Sequence, residues 1–229
     1  MPATPQHRTI RSYVLRQGRL TSGQARALEQ HWRDYGIDFS GAALDLHACF
    51  GRRAPRVLDI GCGMGDTTLE LARRHPENDY LAVEVHRPGV GHLIRRAAAE
   101  GVYNLRVICH DVLDVLQTGL PERSLDQVYI FFPDPWPKKK HHKRRLVSTA
   151  FLARLLPKLK SHARLYLATD WEDLAAHMLQ VCDDCDGLIN LAGRGHYTPR
   201  PLWRPQTRFE SRGRRLQHGV YDLAYCTVS

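Results

Sequence analysis

Arg56-Val57-Leu58-Asp59-Ile60-Gly61-Cys62-Gly63-Met64-Gly65 runs a short apolar strand into three alternating glycines. Asp66-Thr67-Thr68-Leu69-Glu70-Leu71-Ala72 then continues with a helical pattern. Strand, glycine turn and helix open a parallel α/β unit, because glycine lets the chain turn sharply and lets a ligand come close to the backbone. The spacing is G-x-G-x-G, not the G-x-G-x-x-G of dinucleotide binders. Asp59, just ahead of the glycines, would also repel a pyrophosphate. A ligand bearing an ammonium or sulfonium suits that carboxylate better.

Working outward, Tyr80-Leu81-Ala82-Val83-Glu84 reads as a second strand ending in an acid about 20 residues on, the distance at which a ribose diol is gripped. Pro88-Gly89 opens a helix to about Glu100. Leu105-Arg106-Val107-Ile108-Cys109 is a third strand, closed by His110-Asp111, and Asp111 could accept from an adenine amino group. Any one of these acids could equally be a helix cap or a solvated loop residue. Three of them at successive strand ends, after a glycine turn, describe a ligand row.

The fourth strand, Val128-Tyr129-Ile130-Phe131-Phe132, has the aromatic and β-branched content of a buried strand. Pro133-Asp134-Pro135-Trp136-Pro137 then forbids both a continuing ladder and an immediate helix. It leads into Lys138-Lys139-Lys140-His141-His142-Lys143-Arg144-Arg145, in which six of eight residues are Lys or Arg. A carboxylate can accept from a nucleobase N–H edge, an indole can stack on a base, and cations can hold phosphates. Leu146 to Leu156 reads as a helix ended by Pro157, Arg164–Thr169 as a fifth strand closed by Asp170-Trp171, and Trp171–Cys182 as a helix. The last strands fall near Leu188–Leu191 and Val220–Cys226. The expected fold is α/β and Rossmann-like, a mostly parallel seven-stranded sheet with helices on both faces.

Upstream, residues 1–20 are Arg-rich with little apolar pattern, and are expected to be mobile until they meet nucleic acid. Thr21 or Ser22 caps a helix through about Trp32, and a second short helix lies at Asp45-Leu46, before Gly51. Neither a repeat nor a low-complexity linker divides the chain. The expected organisation is one domain, with residues 1–50 as a basic extension with helices and 51–229 as the α/β unit.

At 229 residues and 43% hydrophobic the chain can bury a proper core. It has neither an apolar run long enough to span a membrane nor a signal-peptide start, so a cytoplasmic protein without a membrane partner is expected. Six scattered cysteines suit reduced thiols, and the lone C-x-x-C at Cys182 and Cys185 carries two acids that disfavour a thiolate. No metal is expected. The net charge is +9, yet Arg56–Pro137 holds 8 Lys/Arg against 12 Asp/Glu, so the flanks carry the excess of cations. Such a basic surface suits an anionic polymer, because phosphate contacts gain affinity by counterion release.

The row of strand-end acids resembles the class I S-adenosylmethionine-dependent methyltransferases. Pro133-Asp134-Pro135-Trp136 with its basic run, Ala168-Thr169-Asp170-Trp171-Glu172, Thr207-Arg208-Phe209-Glu210 and Gly219-Val220-Tyr221-Asp222-Leu223 resemble the bacterial tRNA (guanine-N7-)-methyltransferase family more narrowly. Arg11-Ser12-Tyr13-Val14 and Glu84-Val85-His86-Arg87-Pro88-Gly89 match it as well, so the likeness covers nearly the whole chain in motif order. It implies S-adenosylmethionine held by Asp59, Gly61, Gly63, Glu84, Asp111 and Asp134, with Asp134 also catalytic. It further implies a substrate nucleotide bound by Lys138, Asp170, Thr207, Arg208, Phe209 and Glu210, and tRNA met by Lys140, His141, His142, Lys143, Arg144 and Arg145. The implied product is 7-methylguanosine at position 46, in the variable loop; the oligomeric state is left open.

Three departures stand out: Asp59-Ile60-Gly61-Cys62-Gly63 replaces the family's usual Glu-Ile-Gly-Phe-Gly, Pro137 stands where a His is common, and Ser161-His162-Ala163 replaces a Pro-Gly-Gly turn. None removes an implied site residue. The competing readings are a methyltransferase acting on an amino nitrogen, which favours a second proline where Trp136 stands, and a catalytically inactive RNA-binding methyltransferase fold.

Overall fold

The computed structural model describes residues 11–14, 18–207, 210 and 219–228. Its strands are β1 (Arg56–Ile60), β2 (Asp79–Val83), β3 (Leu105–Ile108), β4 (Leu125–Phe131), β5 (Leu159–Thr169), β6 (Leu188–Asn190) and β7 (Tyr221–Thr227). They form one seven-stranded sheet in the order β3-β2-β1-β4-β5-β7-β6. The first five run parallel, while β7 is antiparallel to both of its neighbours. Strand order reverses between β1 and β4, and in open α/β sheets the ligand crevice opens there, outside the carboxyl ends.

Side chains alternate across the strands and so feed two cores. From β1, Leu58 and Ile60 enter one core with Phe151, Leu152, Leu174 and Met178, while Val57 enters the other with Leu69, Val90, Leu93 and Ile94. The first is covered by α6 (Thr149–Leu155) and α7 (Glu172–Asp183), the second by α3 (Asp66–Arg74), α4 (Arg87–Glu100) and α1 (Ser22–Tyr35). Cover on both faces is why the parallel strands read as nearly continuous apolar runs.

The sequence places most of these elements to within a few residues, but β5 begins at Leu159 rather than Arg164 and takes in Ser161-His162-Ala163, expected as a turn before it. α1 starts where a Thr21–Gln24 capping box satisfies its first amides, and runs past Trp32 because Tyr35 is buried in the core. It packs on α4, and Ile37 N donates to Val107 O at 2.9 Å, so the segment before β1 lies along the β3 edge of the sheet. The helix expected from Leu146 starts at Thr149, where Ser148 Oγ accepts from Phe151 N at 3.2 Å, and Pro157 sits in the 3-10 turn that closes it. The basic run, read as loop, winds into a 3-10 turn over Lys139–Arg144. Asp45 caps α2 (Leu46–Phe50), and Asp111 caps the short α5 (Val112–Asp114). Among the described residues no helix is long and apolar enough to cross a membrane, and no cluster suited to a metal occurs.

Candidate active site

The glycine turn delivers backbone to an open space. Gly61 and Gly63 have φ of +71° and +60°, a conformation L side chains rarely adopt, and a Cβ at either would meet nothing within 4 Å. Beneath them Asp59 is 3% exposed. Burial, and to a smaller extent the charge of Glu84, push its carboxyl from the ordinary 3.8 up to about 6, against the lowering effect of a hydrogen bond from the Thr68 hydroxyl. Among the described residues no cation pairs with it, so an ionised Asp59 is a buried charge awaiting a positive partner. Glu84, at the end of β2, is pinned by Gly63 N and His86 N, each donating at 2.8 Å. Burial and the neighbouring carboxylates drive the Cys62 thiol well up, so it stays a neutral space-filler.

At the end of β4 the backbone is strained. Phe132 and Trp136 have positive φ, +54° and +45°, and bracket Pro133-Asp134-Pro135. Non-glycine residues hold such angles only where their surroundings over-determine them. The loop puts Asp134 on a cavity of about 480 Å³ that Gly61, Glu84 and Asp111 also line. Asp59 and Gly63 line a second cavity of about 420 Å³, with Thr67, Gln206 and Thr207; Gly61 and Phe132 border both.

Ser12, Tyr13 and Val14 of the basic extension line the first cavity. Trp136 Nε1 donates to Ser12 O at 3.0 Å, and the Tyr13 hydroxyl hydrogen-bonds Asp111. The Arg144 guanidinium lies over the Trp136 ring at 4.8 Å, so the half-buried indole already has packing partners within the chain.

These residues fit S-adenosylmethionine chemically. A buried carboxylate without a cation suits an ammonium or sulfonium, a pinned carboxylate at the end of β2 suits a diol, and the bare glycine backbone leaves room for both.

The remaining expected residues are divided. Lys138, Lys140 and Lys143 are exposed, with His141, His142 and Arg144 half-buried, all on the turn beside the Asp134 loop. Arg145 departs from that group. It is 5% exposed and its guanidinium turns inward to Pro135 O and Asp173, so it presents no charge to solvent. Thr207 lines the second cavity, and its Oγ1 accepts from Glu210 N at 3.0 Å. Glu210 itself is fully buried, ion-paired to Arg200 and Arg204. Asp170 lies on a separate cleft, with Trp171, Glu172, Asp173 and Tyr221, and lines neither of the two cavities above. Arg208 and Phe209 lie outside the described residues.

The family model described as "Putative methyltransferase" matches residues 53–223. A tRNA (guanine-N(7)-)-methyltransferase of Edwardsiella ictaluri is 52% identical over 218 residues, covering 95% of this chain and 92% of the relative. That of Aeromonas hydrophila is 50% identical over 222 residues, 97% and 94% of the two chains. The chain belongs to the tRNA (guanine-N(7)-)-methyltransferase family. Solved structures share its fold at low identity. The 16S rRNA methyltransferase KamB superposes with a TM-score of 0.55 at 16% identity, over 79% of this chain and 91% of its own. An rRNA methylase from Streptococcus thermophilus gives 0.52 at 13%, over 77% and 88%.

Within this tRNA (guanine-N(7)-)-methyltransferase family member, two arginines carry structure that the sequence alone does not show: Arg204, left unassigned, and Arg145, expected to meet tRNA. Arg204 is fully buried between Glu210 and Asp222 of β7, and its guanidinium lies 5.7 Å and 5.6 Å from the rings of Phe131 and Phe132. It thereby anchors the Pro205–Thr207 wall of the second cavity to the root of the Asp134 loop. Arg145 ties the far end of that loop, at Pro135 O, to Asp173 of α7. In a basic chain nothing marks which arginine turns inward; the acids that receive these two, Asp222 and Asp173, were the available signal.

Proposed function

We propose that this protein transfers a methyl group from S-adenosylmethionine to N7 of a guanine in tRNA, the guanosine at position 46 of the variable loop. One observation carries the reading. Glu84, Asp111 and Asp134, from the ends of β2, β3 and β4, converge on one cavity beside a solvent-facing basic turn.

Bound S-adenosylmethionine supplies an electrophilic methyl on a sulfonium. Asp59 would hold its cationic end, Glu84 and Asp111 the ribose and adenine, with Gly61 and Gly63 giving backbone access. N7 of neutral guanine already bears a lone pair, so the protein has no proton to remove there; its task is orientation, which can supply roughly 7–11 kcal/mol. Asp134 would accept hydrogen bonds from the guanine N–H edge, aligning the ring and favouring the positive charge that develops on it. Lys138, Asp170, Thr207, Arg208, Phe209 and Glu210 would surround the nucleotide, some directly and Glu210 by holding the chain, while Lys140, His141, His142, Lys143 and Arg144 would meet phosphates. A tRNA substrate supports a cytoplasmic location.

The test is methyl transfer from labelled donor to bulk tRNA, followed by nucleoside analysis. Labelled 7-methylguanosine, lost in Asp134→Ala with tRNA affinity retained, is the expected result. Normal turnover in that variant would overturn the role of Asp134. Donor binding with label on another nucleoside would overturn the choice of guanine N7.

A further inference from the structure

We propose that Arg145 is a positioning residue for methyl transfer, a buried guanidinium that sets the Asp134 loop and takes no part in gripping tRNA. The inference rests on the proposed reaction and adds to it a residue that the run of cations conceals.

Arg145 stands at the end of the basic run, yet its side chain is almost wholly enclosed. Each polar edge of the guanidinium is spent within the protein. Nε donates to Pro135 O at 3.2 Å, Nη1 approaches Asp173 O at 3.5 Å, and Nη2 pairs with the Asp173 carboxylate and lies 3.2 Å from His142 Nε2. One planar group thus joins three segments: the loop after β4, the basic 3-10 turn, and the first turn of α7, which follows Asp170 and Trp171 at the end of β5. A hydrogen bond from Arg145 holds the Asp173 carboxyl below the usual carboxylate range, although that side chain is 62% exposed.

The position of the carbonyl matters. Pro135 follows Asp134 directly and lies between the strained residues Phe132 and Trp136. A loop in that conformation relaxes unless it is held, and Pro135 has no N–H with which to hold itself. The Nε–H bond fixes the Pro135–Trp136 peptide, one residue past Asp134, and the fork on Asp173 fixes Arg145. A lysine is a point donor and cannot serve both directions at once.

A phosphate contact and a positioning contact fail differently. Removing a phosphate contact weakens tRNA binding and makes the log–log salt slope shallower by about 0.9. Removing a positioning contact lowers kcat and leaves that slope alone.

The experiment compares the wild type with Arg145→Lys and Asp173→Ala, measuring kcat at saturating tRNA and donor, tRNA affinity across salt, and donor affinity. Asp173 is exposed, so its variant tests the device even where an Arg145 variant folds poorly. Expected are a kcat loss of between about tenfold and a hundredfold in both variants, the cost of a small misplacement, with tRNA affinity within about twofold and an unchanged salt slope. Retained kcat with a shallower slope in Arg145→Lys would overturn the proposal in favour of an RNA contact. A lower melting temperature with every kinetic and binding value unchanged would overturn it in favour of a plain structural ion pair. A wild type that makes no 7-methylguanosine would instead overturn the reaction on which the inference rests.

Discussion

At the scale of single residues, the site turns on carboxylates whose surroundings decide their charge. Asp59 is raised to about 6 from 3.8, mainly by burial. A raised carboxyl favours the protonated folded form, so its contribution to stability is fullest below 3.8 and is lost as pH climbs through about 6. Above that, the fold carries an unpaired buried anion that a cationic ligand relieves. S-adenosylmethionine should therefore raise the melting temperature more at about pH 7.5 than at about pH 5, and its affinity should weaken about tenfold per pH unit below about 6. Asp59→Asn should bind weakly and without that dependence. Calorimetric titration across pH decides it: a flat profile in the wild type would remove Asp59 from the cation's site. The residue was legible because a lone acid before three glycines has few structural uses. Arg145 and Arg204 were not, because a chain with 33 Lys and Arg gives no local sign of which side chain meets a buried partner.

At the scale of elements, the glycine turn and α4 form one unit. Gly89 lies in the first turn of α4, and a Cβ there would stand 2.1 Å from Gly63 O, a backbone atom with no rotamer to yield. The same Gly63 donates its N–H to Glu84, so pushing it aside disturbs two cavity-lining groups together. Gly89→Ala should cost about 1–3 kcal/mol of stability and weaken donor binding, read by thermal melting and titration. Gly23→Ala, in α1 where only Arg95 Cδ stands nearby at 3.7 Å, should be neutral or slightly stabilising. Equal effects at the two positions would mean that α4 does not brace the turn. Pro88-Gly89 was readable as a helix start, but its second purpose was not, since close approach is a property of two segments and leaves no mark on one. Trp136 teaches the converse. A Trp between prolines reads as a packing residue as readily as a stacking platform, and the structure gives its indole N–H to Ser12 and its ring to Arg144.

At the scale of the whole molecule, charge and topology set an acidic segment apart from a basic turn. The net charge is +9, while Arg56–Pro137, which spans β1 to the Asp134 loop, is net acidic. Acids that grip a cationic donor and cations that hold a polyanion would cancel if they were mixed. The chain keeps them apart by setting its basic turn outside the sheet, one loop beyond the crevice where β1 and β4 part. This was largely legible, because strand-end acids and a basic run are local features; the antiparallel β7, which brings Asp222 to Arg204, was not. If the exposed turn engages about three phosphates, tRNA affinity should fall with a log–log salt slope of about −2.7, a loss of about fortyfold between about 50 and 200 mM salt. Donor affinity, set inside the crevice by pairs less open to screening, should change far less over the same range. Filter binding of tRNA and titration of donor in the same buffers compare the two. Parallel loss of both would mean that the charges act as one diffuse field, and a flat tRNA slope would deny the basic turn its phosphates. A steep slope for tRNA beside a shallow one for donor would follow only if the two charge systems work independently.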